Sequence, residues 1–262
     1  MKLGLVQPGL IPGDPKKNFH HIHAMMESME EVDLFLLPEL WNTGFIREEF
    51  SRELEDGRSF ILPAMAAFAR ERKTPVMMGT LAIREEGQWR NRTYVLDERG
   101  EVAFTYDKAH LFTPTGEGEI FTPGSENGTF PLLGTTMGTV TCYDQRFPEW
   151  VRKLMYGGMR ILLMPAMWPL SRIEQMQTMA RAHAMTNQIF VAVVNGTKAP
   201  GERAMAGGGS VVYDPWGVEL LKLGTEETTA VVDLDLSLLE SSREFFNLWE
   251  DRRPQLYTGL DR

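Results

Sequence analysis

Short apolar runs alternate along the chain with longer stretches of helical spacing. Leu3–Gln7, Leu34–Leu37, Val76–Thr80, Tyr94–Asp97, Val102–Tyr106, Gly138–Cys142, Ile161–Pro165, Ile189–Val194, Ser210–Tyr213 and Ala230–Asp235 have the length and residue types of strands. Between them, Pro15–Glu31, Ser59–Arg72, Pro148–Tyr156 and Ser171–Thr186 read as helices. Pro15 and Pro148 suit a first helical turn, where the missing N–H is no loss. Gly157 and Gly158 supply a stop after the third helix. The run LFLLP and, after its leading Arg160, the run RILLMP are apolar at every position instead of every second one, which predicts strands covered on both faces.

Two hairpins interrupt this rhythm. One turns at Gly100 in TYVLDERGEVAFTY, and the other turns through Asp214, Pro215, Trp216 and Gly217. A mixed sheet in a layered α/β architecture follows. The Gly-rich run Ala206–Gly209 reads as a loop, and no repeat of solenoid period is present. With no linker-like stretch, residues 1–262 are expected to form a single domain.

Composition narrows the function classes. The 27 Lys and Arg against 36 Asp and Glu give a net charge of -9, which argues against a nucleic-acid groove. One cysteine rules out an intramolecular disulfide and fits a reducing compartment. Pro8 and Pro12 break the apolar start and no small-residue cleavage site follows, so no signal peptide is expected. The most apolar segment, Ile161 to Leu170, contains Pro165 and Pro169 and is too short for a bilayer. A soluble, cytoplasmic protein with no membrane partner is the expectation.

Candidate chemistry centres on Cys142 in VTCYDQRFPEW. A free cysteine is ordinarily a small buried hydrophobe. Here it stands where an apolar strand gives way to a helix opened by Pro148, beside Tyr143, Asp144 and Arg146. A nucleophile on such a turn projects at the sheet's ligand-binding end. Thiolate formation calls for a base. His20, His21 and His23 sit on a solvated helix and His183 on another helix as packing or support, whereas His110 could approach the cysteine as a dyad partner. Glu39, directly after LFLLP, and Lys108, ending VAFTYDK, are alternatives at strand ends.

Taken together, LLPELWNTGF, YDKAHLF and TCYDQRFPEW resemble the nitrilase superfamily of carbon–nitrogen hydrolases. The resemblance extends to FTPG at Phe121–Gly124, to Ala180–Gly196 and to DPWG at Asp214–Gly217, nearly the whole chain. It implies an α-β-β-α sandwich that stacks into four-layer dimers, hence a homodimer or larger homo-oligomer, with one carbon–nitrogen hydrolase domain over 1–262. It also implies Glu39 as base, Lys108 as cationic stabiliser, Cys142 as nucleophile and Glu117, four residues before Phe121, as a second glutamate. Glu119 is the neighbouring candidate for that last place. Lys108 and the Tyr143 N–H would form the oxyanion hole of a thioester mechanism that needs no metal and no cofactor.

Trp168, Pro169 and Arg172 in WPLSR make the chain similar to the omega-amidase branch, which releases ammonia from 2-oxoglutaramate or 2-oxosuccinamate. Arg172, with Arg146 as a second candidate, would clamp a distal carboxylate. Trp41, Phe45, Phe112, Tyr143 and Trp168 would wall the pocket around the small-molecule amide. Deaminated-glutathione amidase and N-carbamoyl amine or amino-acid hydrolase are the alternative activities, with nitrilase proper behind them. A catalytically idle metabolite-binding relative is the non-enzyme alternative, and the intact Glu39, Lys108 and Cys142 speak against it. The tail REFFNLWEDRRPQLY suits either an arm on a partner subunit or a cover for its own core.

Overall fold

The computed structural model describes residues 1–44, 56–202 and 206–257. In chain order the strands are β1 (Lys2–Gln7), β2 (Gly9–Leu10), β3 (Leu34–Leu36), β4 (Val76–Glu85), β5 (Gln88–Leu96), β6 (Val102–Asp107), β7 (Thr129–Leu132) and β8 (Thr135–Thr139). They continue as β9 (Ile161–Ala166), β10 (Phe190–Asn195), β11 (Thr197–Lys198), β12 (Val211–Tyr213), β13 (Glu219–Lys222) and β14 (Thr228–Asp233). The helices are α1 (Pro15–Glu27), α2 (Ile61–Arg72), α3 (Glu117–Ile120), α4 (Pro148–Leu154), α5 (Ile173–Asn187) and α6 (Ser237–Phe245).

Two mixed sheets lie face to face, in the orders β14-β1-β3-β4-β5-β6 and β13-β12-β10-β9-β8-β7. Each has a parallel centre, β1-β3-β4 and β8-β9-β10, extended on both sides by antiparallel strands. Successive side chains on a strand face opposite ways, so a strand between two layers must be apolar throughout. Leu34 and Leu36 enter the core between the sheets, while Phe35 and Leu37 pack toward α1 and α2. On the second sheet Ile161 and Leu163 face inward, and Leu162 and Met164 pack against α4 and α5. The result is an α-β-β-α sandwich, as the apolar runs and the family resemblance imply.

The structure differs from the sequence reading at several edges. Tyr94–Asp97 is only the end of β5, which pairs along its length with a longer β4 through a turn at Glu86 and Gly87. The polar outer halves of these strands hide the hairpin from a hydrophobicity pattern. The strand expected over Gly138–Cys142 stops at Thr139, because Asp144 caps the chain at Thr141 and turns it into a 3-10 helix. The first helix ends at Glu27 instead of Glu31. Helix α6, which the sequence reading did not predict, runs up to the start of the charged tail; its Leu239 enters the core between the sheets, and the Gln188 amide donates to the Ser242 and Phe246 carbonyls. Helix α6 therefore covers the chain's own core, while Phe245 and Phe246 at the start of the tail stay exposed. Among the described residues no helix is long and apolar enough to cross a membrane.

Candidate active site

Strand ends from both sheets build the site. Pro38 and Glu39 follow β3, and the Glu39 N–H donates 3.3 Å to the Ala166 carbonyl at the end of β9. The neighbouring β4 presses its backbone against this turn at Gly79, which has φ +59 and where a Cβ would stand 1.9 Å from the Pro38 oxygen. Only glycine fits such an approach. Lys108 follows β6 and is held by its N–H on the Asn91 carbonyl at 3.0 Å. Its own carbonyl accepts from Gly124, whose Cα packs so closely on Asp107 that a Cβ would lie 2.3 Å from the Asp107 oxygen. That contact is a physical reason for the glycine in FTPG.

The charged groups converge directly. Lys108 Nζ donates to Glu39 Oε1 at 2.8 Å and to Glu117 Oε1 and Oε2 at 3.0 and 2.8 Å. The Lys108 and Glu39 side chains are wholly buried and that of Glu117 is 2% exposed. Glu117 Oε2 also accepts from the Phe112 N–H at 2.6 Å, which fixes the start of the loop that carries it. Glu119 is exposed on the outer side of the same turn, so Glu117 is the residue that reaches Lys108. Asn91, which the sequence reading did not single out, donates to Glu39 Oε1 at 2.9 Å and Glu117 Oε1 at 3.0 Å. Its only sequence signal is a polar residue inside a strand.

Cys142 opens the 3-10 turn at φ +46, a left-handed conformation unusual for a side-chain-bearing residue. It retains partial solvent access on the cavity side. Burial, reinforced by the Glu39 charge and opposed by Lys108, pushes its thiol well above the usual range, so the resting group is a thiol. Burial likewise raises the Glu39 carboxyl, with Glu117 adding to the effect and Lys108 opposing it. Burial alone would lower the Lys108 ammonium, but Glu39 and Glu117 outweigh it and hold the group above its usual range. Glu39 Oε1 is taken by two donors, whereas Oε2 has no donor at ordinary geometry among the described residues. The thiol of Cys142 is the hydrogen-bonding neighbour that acts on this carboxylate from the cavity side.

Asp144 fixes the turn that presents Cys142. It is fully buried and accepts from the Thr141 N–H at 2.9 Å, the His110 N–H at 2.7 Å and the Tyr106 hydroxyl at 2.8 Å. The His110 ring lies 2.8 Å from Asp144 through Nδ1 and stacks on Phe147 at 3.8 Å between centroids. His110 is therefore a neighbour of Asp144, and a carboxylate, Glu39, is the group beside the thiol. His183 Nε2 sits 2.8 Å from the Gln145 carbonyl and supports the far end of the turn.

A cavity of about 370 Å3 opens above Cys142 and Lys108. Phe112, Tyr143 and Trp168 wall it, and Arg146 and Arg172 stand in its lining. Arg146 is engaged, stacked on Trp168 at 4.5 Å and donating to Gln175 Oε1 at 2.8 Å. Arg172 lies over Phe112 at 5.9 Å, and its guanidinium makes no hydrogen bond or ion pair among the described residues. The Tyr143 N–H lies in the first turn of the 3-10 helix, where no intrahelical acceptor exists. Trp41 does not wall the pocket: it is buried in the core with its indole N–H on the Met78 carbonyl at 2.7 Å. Phe45 lies outside the described residues.

Residues 2–244 match the model of the carbon–nitrogen hydrolase family. The chain is 34% identical over 247 residues to the 2-oxoglutaramate amidase of Bacillus subtilis (strain 168), spanning 94% of this chain and 95% of that one. It is 29% identical over 252 residues to omega-amidase YafV of Escherichia coli (strain K12), spanning 96% of each. A solved variant of the amidase from Nesterenkonia sp. AN1 matches with a TM-score of 0.84 and 27% identity, over 98% of this chain and 95% of that one. That structure shows covalent addition of the acetamide moiety of fluoroacetamide at its active site cysteine.

Proposed function

The chain belongs to the carbon–nitrogen hydrolase family and is a hydrolase of non-peptide carbon–nitrogen bonds; from that premise we propose that it is an omega-amidase, acting through Cys142 on the terminal amide of a short 2-oxo dicarboxylic acid monoamide. The observation that carries the substrate class is Arg172, a cation in the cavity lining with no anionic partner among the described residues. A carboxylate at the far end of a linear amide supplies the missing charge and can take both guanidinium edges. The first relative named above bears the same substrate in its name, 2-oxoglutaramate.

In this reading Cys142 Sγ attacks the amide carbon as its proton passes to Glu39 Oε2. A thiol held well above its usual range keeps its proton until substrate arrives, so ionisation and attack are coupled. Lys108 and the Tyr143 N–H stabilise the oxyanion, and comparable donors contribute about 3–4 kcal/mol each. Glu39 returns the proton to the leaving nitrogen; the C–N bond breaks, ammonia departs and a thioester remains. Glu39 then takes a proton from water, whose oxygen attacks the thioester carbon. Collapse releases the carboxylic acid and restores the thiol. Glu117 shares Lys108 with Glu39 and holds it in place.

Ammonia release from 2-oxoglutaramate, 2-oxosuccinamate, deaminated glutathione, N-carbamoylputrescine and simple aliphatic amides tests the assignment, with Cys142→Ala as control. The 2-oxo monoamides are expected to lead in kcat/KM. Turnover of carbamoyl compounds alone, or of deaminated glutathione alone, would overturn it in favour of those branches. Undiminished ammonia release by Cys142→Ala would remove Cys142 as the nucleophile.

A homodimer belongs to the same proposal. Trp216, Phe245 and Phe246 form an exposed aromatic cluster, with Phe245 80% exposed. Such a patch is the usual mark of a partner surface. Phe245→Ser should lower the mass measured by light scattering if a second copy covers it. The chemistry requires a reduced thiol, which suits the cytoplasm.

A further inference from the structure

We propose that Asn91 is a positioning residue that divides the two oxygens of Glu39 between separate tasks, committing Oε1 to the buried ion cluster and leaving Oε2 as the atom that exchanges protons with Cys142. This rests on the reading of Glu39 as the base. Nothing in the spacing of Glu39, Lys108 and Cys142 specifies which oxygen does which, and a carboxylate with both oxygens equally available would turn toward Lys108 with either.

The geometry supplies the asymmetry. The Asn91 amide points both of its bonds the same way, donating to Glu39 Oε1 at 2.9 Å and to Glu117 Oε1 at 3.0 Å. Lys108 donates to those same two oxygens, at 2.8 and 3.0 Å. Each Oε1 is thus held by a cation and an amide, and Glu39 Oε2 is left without a donor although it is wholly buried. A buried carboxylate oxygen without a donor is costly and is retained only where something else uses it. The groups facing Glu39 are Lys108 beyond β6, Glu117 of α3 and Cys142 of the turn after β8. Of these only the thiol has a proton to exchange from the cavity side. Asn91 also fixes the amide orientation unambiguously, because the reverse flip would set its oxygen against two carboxylates.

Asn91 sits on β5, and its own carbonyl accepts the Lys108 N–H at 3.0 Å. The same residue therefore holds the backbone of the lysine and the side chains of both glutamates. The backbone bond survives substitution, so side-chain variants report on the carboxylates alone. Asn91 is 1% exposed, which keeps water from replacing its N–H groups.

The test is the pH dependence of Cys142 alkylation by iodoacetamide, a readout that needs no substrate, for the wild type, Asn91→Ala, Asn91→Ser and Glu39→Gln. The rate should fall as pH drops through the Glu39 titration. Losing an N–H bond to a charged carboxylate should move that midpoint upward in Asn91→Ala by about one pH unit. Asn91→Ser, with a short hydroxyl donor and a smaller cavity, should lie between the two. A profile in Asn91→Ala that superposes on the wild type, with only a lower melting temperature or a uniformly lower rate, would show a structural role and overturn the proposal. A Glu39→Gln profile identical to the wild type would instead remove Glu39 as base, and with it the reading on which the proposal rests. If Asn91→Ala does not fold, the Asn91→Ser midpoint decides, and no shift there overturns the proposal.

Discussion

Replacing Lys108 by Met tests whether the buried cluster is held by charge. Met nearly conserves the volume of the side chain and removes only the ammonium. In the folded protein that ammonium makes three charge-assisted hydrogen bonds of 2.8 to 3.0 Å to two carboxylates, and both it and Glu39 are wholly buried. Breaking such a pair by deleting one partner costs about 3–5 kcal/mol at a pH where the carboxylates remain ionised. Lys108 is raised in the folded state, so its contribution is complete below the unfolded lysine value and is lost only as pH rises through the folded one. The wild type therefore keeps this contribution between pH 5 and pH 8. In Lys108→Met the opposing charge is gone, so burial and the neighbouring Glu117 charge push the Glu39 carboxyl further above its ordinary value. A carboxyl raised in the folded state binds its proton more readily there than in the unfolded chain, so it stabilises the fold progressively as pH falls through its folded value. Thermal melting at pH 8, 7, 6 and 5 reads this out. The variant should melt about 10 °C below the wild type at pH 8 and regain part of that deficit on acidification to pH 5. A variant that melts with the wild type at pH 8, or loses stability in parallel with it on acidification, refutes the account.

Arg172→Ala should raise KM for 2-oxoglutaramate by about 10- to 100-fold, the loss of a charge-assisted pair, and leave turnover of a neutral amide such as propionamide unchanged; equal losses on both would assign Arg172 to packing over Phe112. Asp144→Ala leaves the Thr141 N–H, the His110 N–H and the Tyr106 hydroxyl without their acceptor. A loss of about 3 kcal/mol or more in chemical denaturation, with slower Cys142 alkylation, is expected. Because burial raises the Glu39 carboxyl, the acid limb of kcat/KM should lie above the ordinary glutamate value of about 4.3. Initial rates from pH 4 to 8 check this, and a limb at or below that value counts against Glu39 as the base.

The layers were legible because burial on two faces leaves a mark no other environment leaves: LFLLP and, after Arg160, ILLMP have no polar position, and both proved to be strands covered by a helix layer and a second sheet. The Gln88–Leu96 strand was only half visible, since a hairpin that carries Arg84, Glu85, Gln88 and Arg90 toward solvent has no apolar period to read. Lys108 and Glu39 looked individually like solvated strand-end charges, and only the family motifs joined them. The physical reason for their burial lies in partners distant in sequence, which no local pattern records. Asn91 had no motif at all, and its importance is visible only where two carboxylates converge on one amide.

The division of labour in this molecule follows from where each group is anchored. Glu39, Lys108 and Asn91 stand on or directly beyond strands of one sheet, with Glu117 brought in by a four-residue helix. Cys142 arrives from the other sheet, on a turn that Asp144 ties back to Tyr106 and His110 of the first. The acid–base cluster and the nucleophile thus meet only when the two sheets close on their common core. That arrangement makes the distance between Glu39 and the thiol a property of the whole sandwich. Arg146 and Arg172 sit outside this frame: Arg146 lies in the turn after Cys142, and Arg172 in the 3-10 turn that leads into α5. A change there can alter the far end of the substrate without disturbing the ion cluster, whereas a change in the ion cluster reaches the core of the fold. Specificity is therefore free to diverge on Arg172 while the amide chemistry stays fixed beneath it.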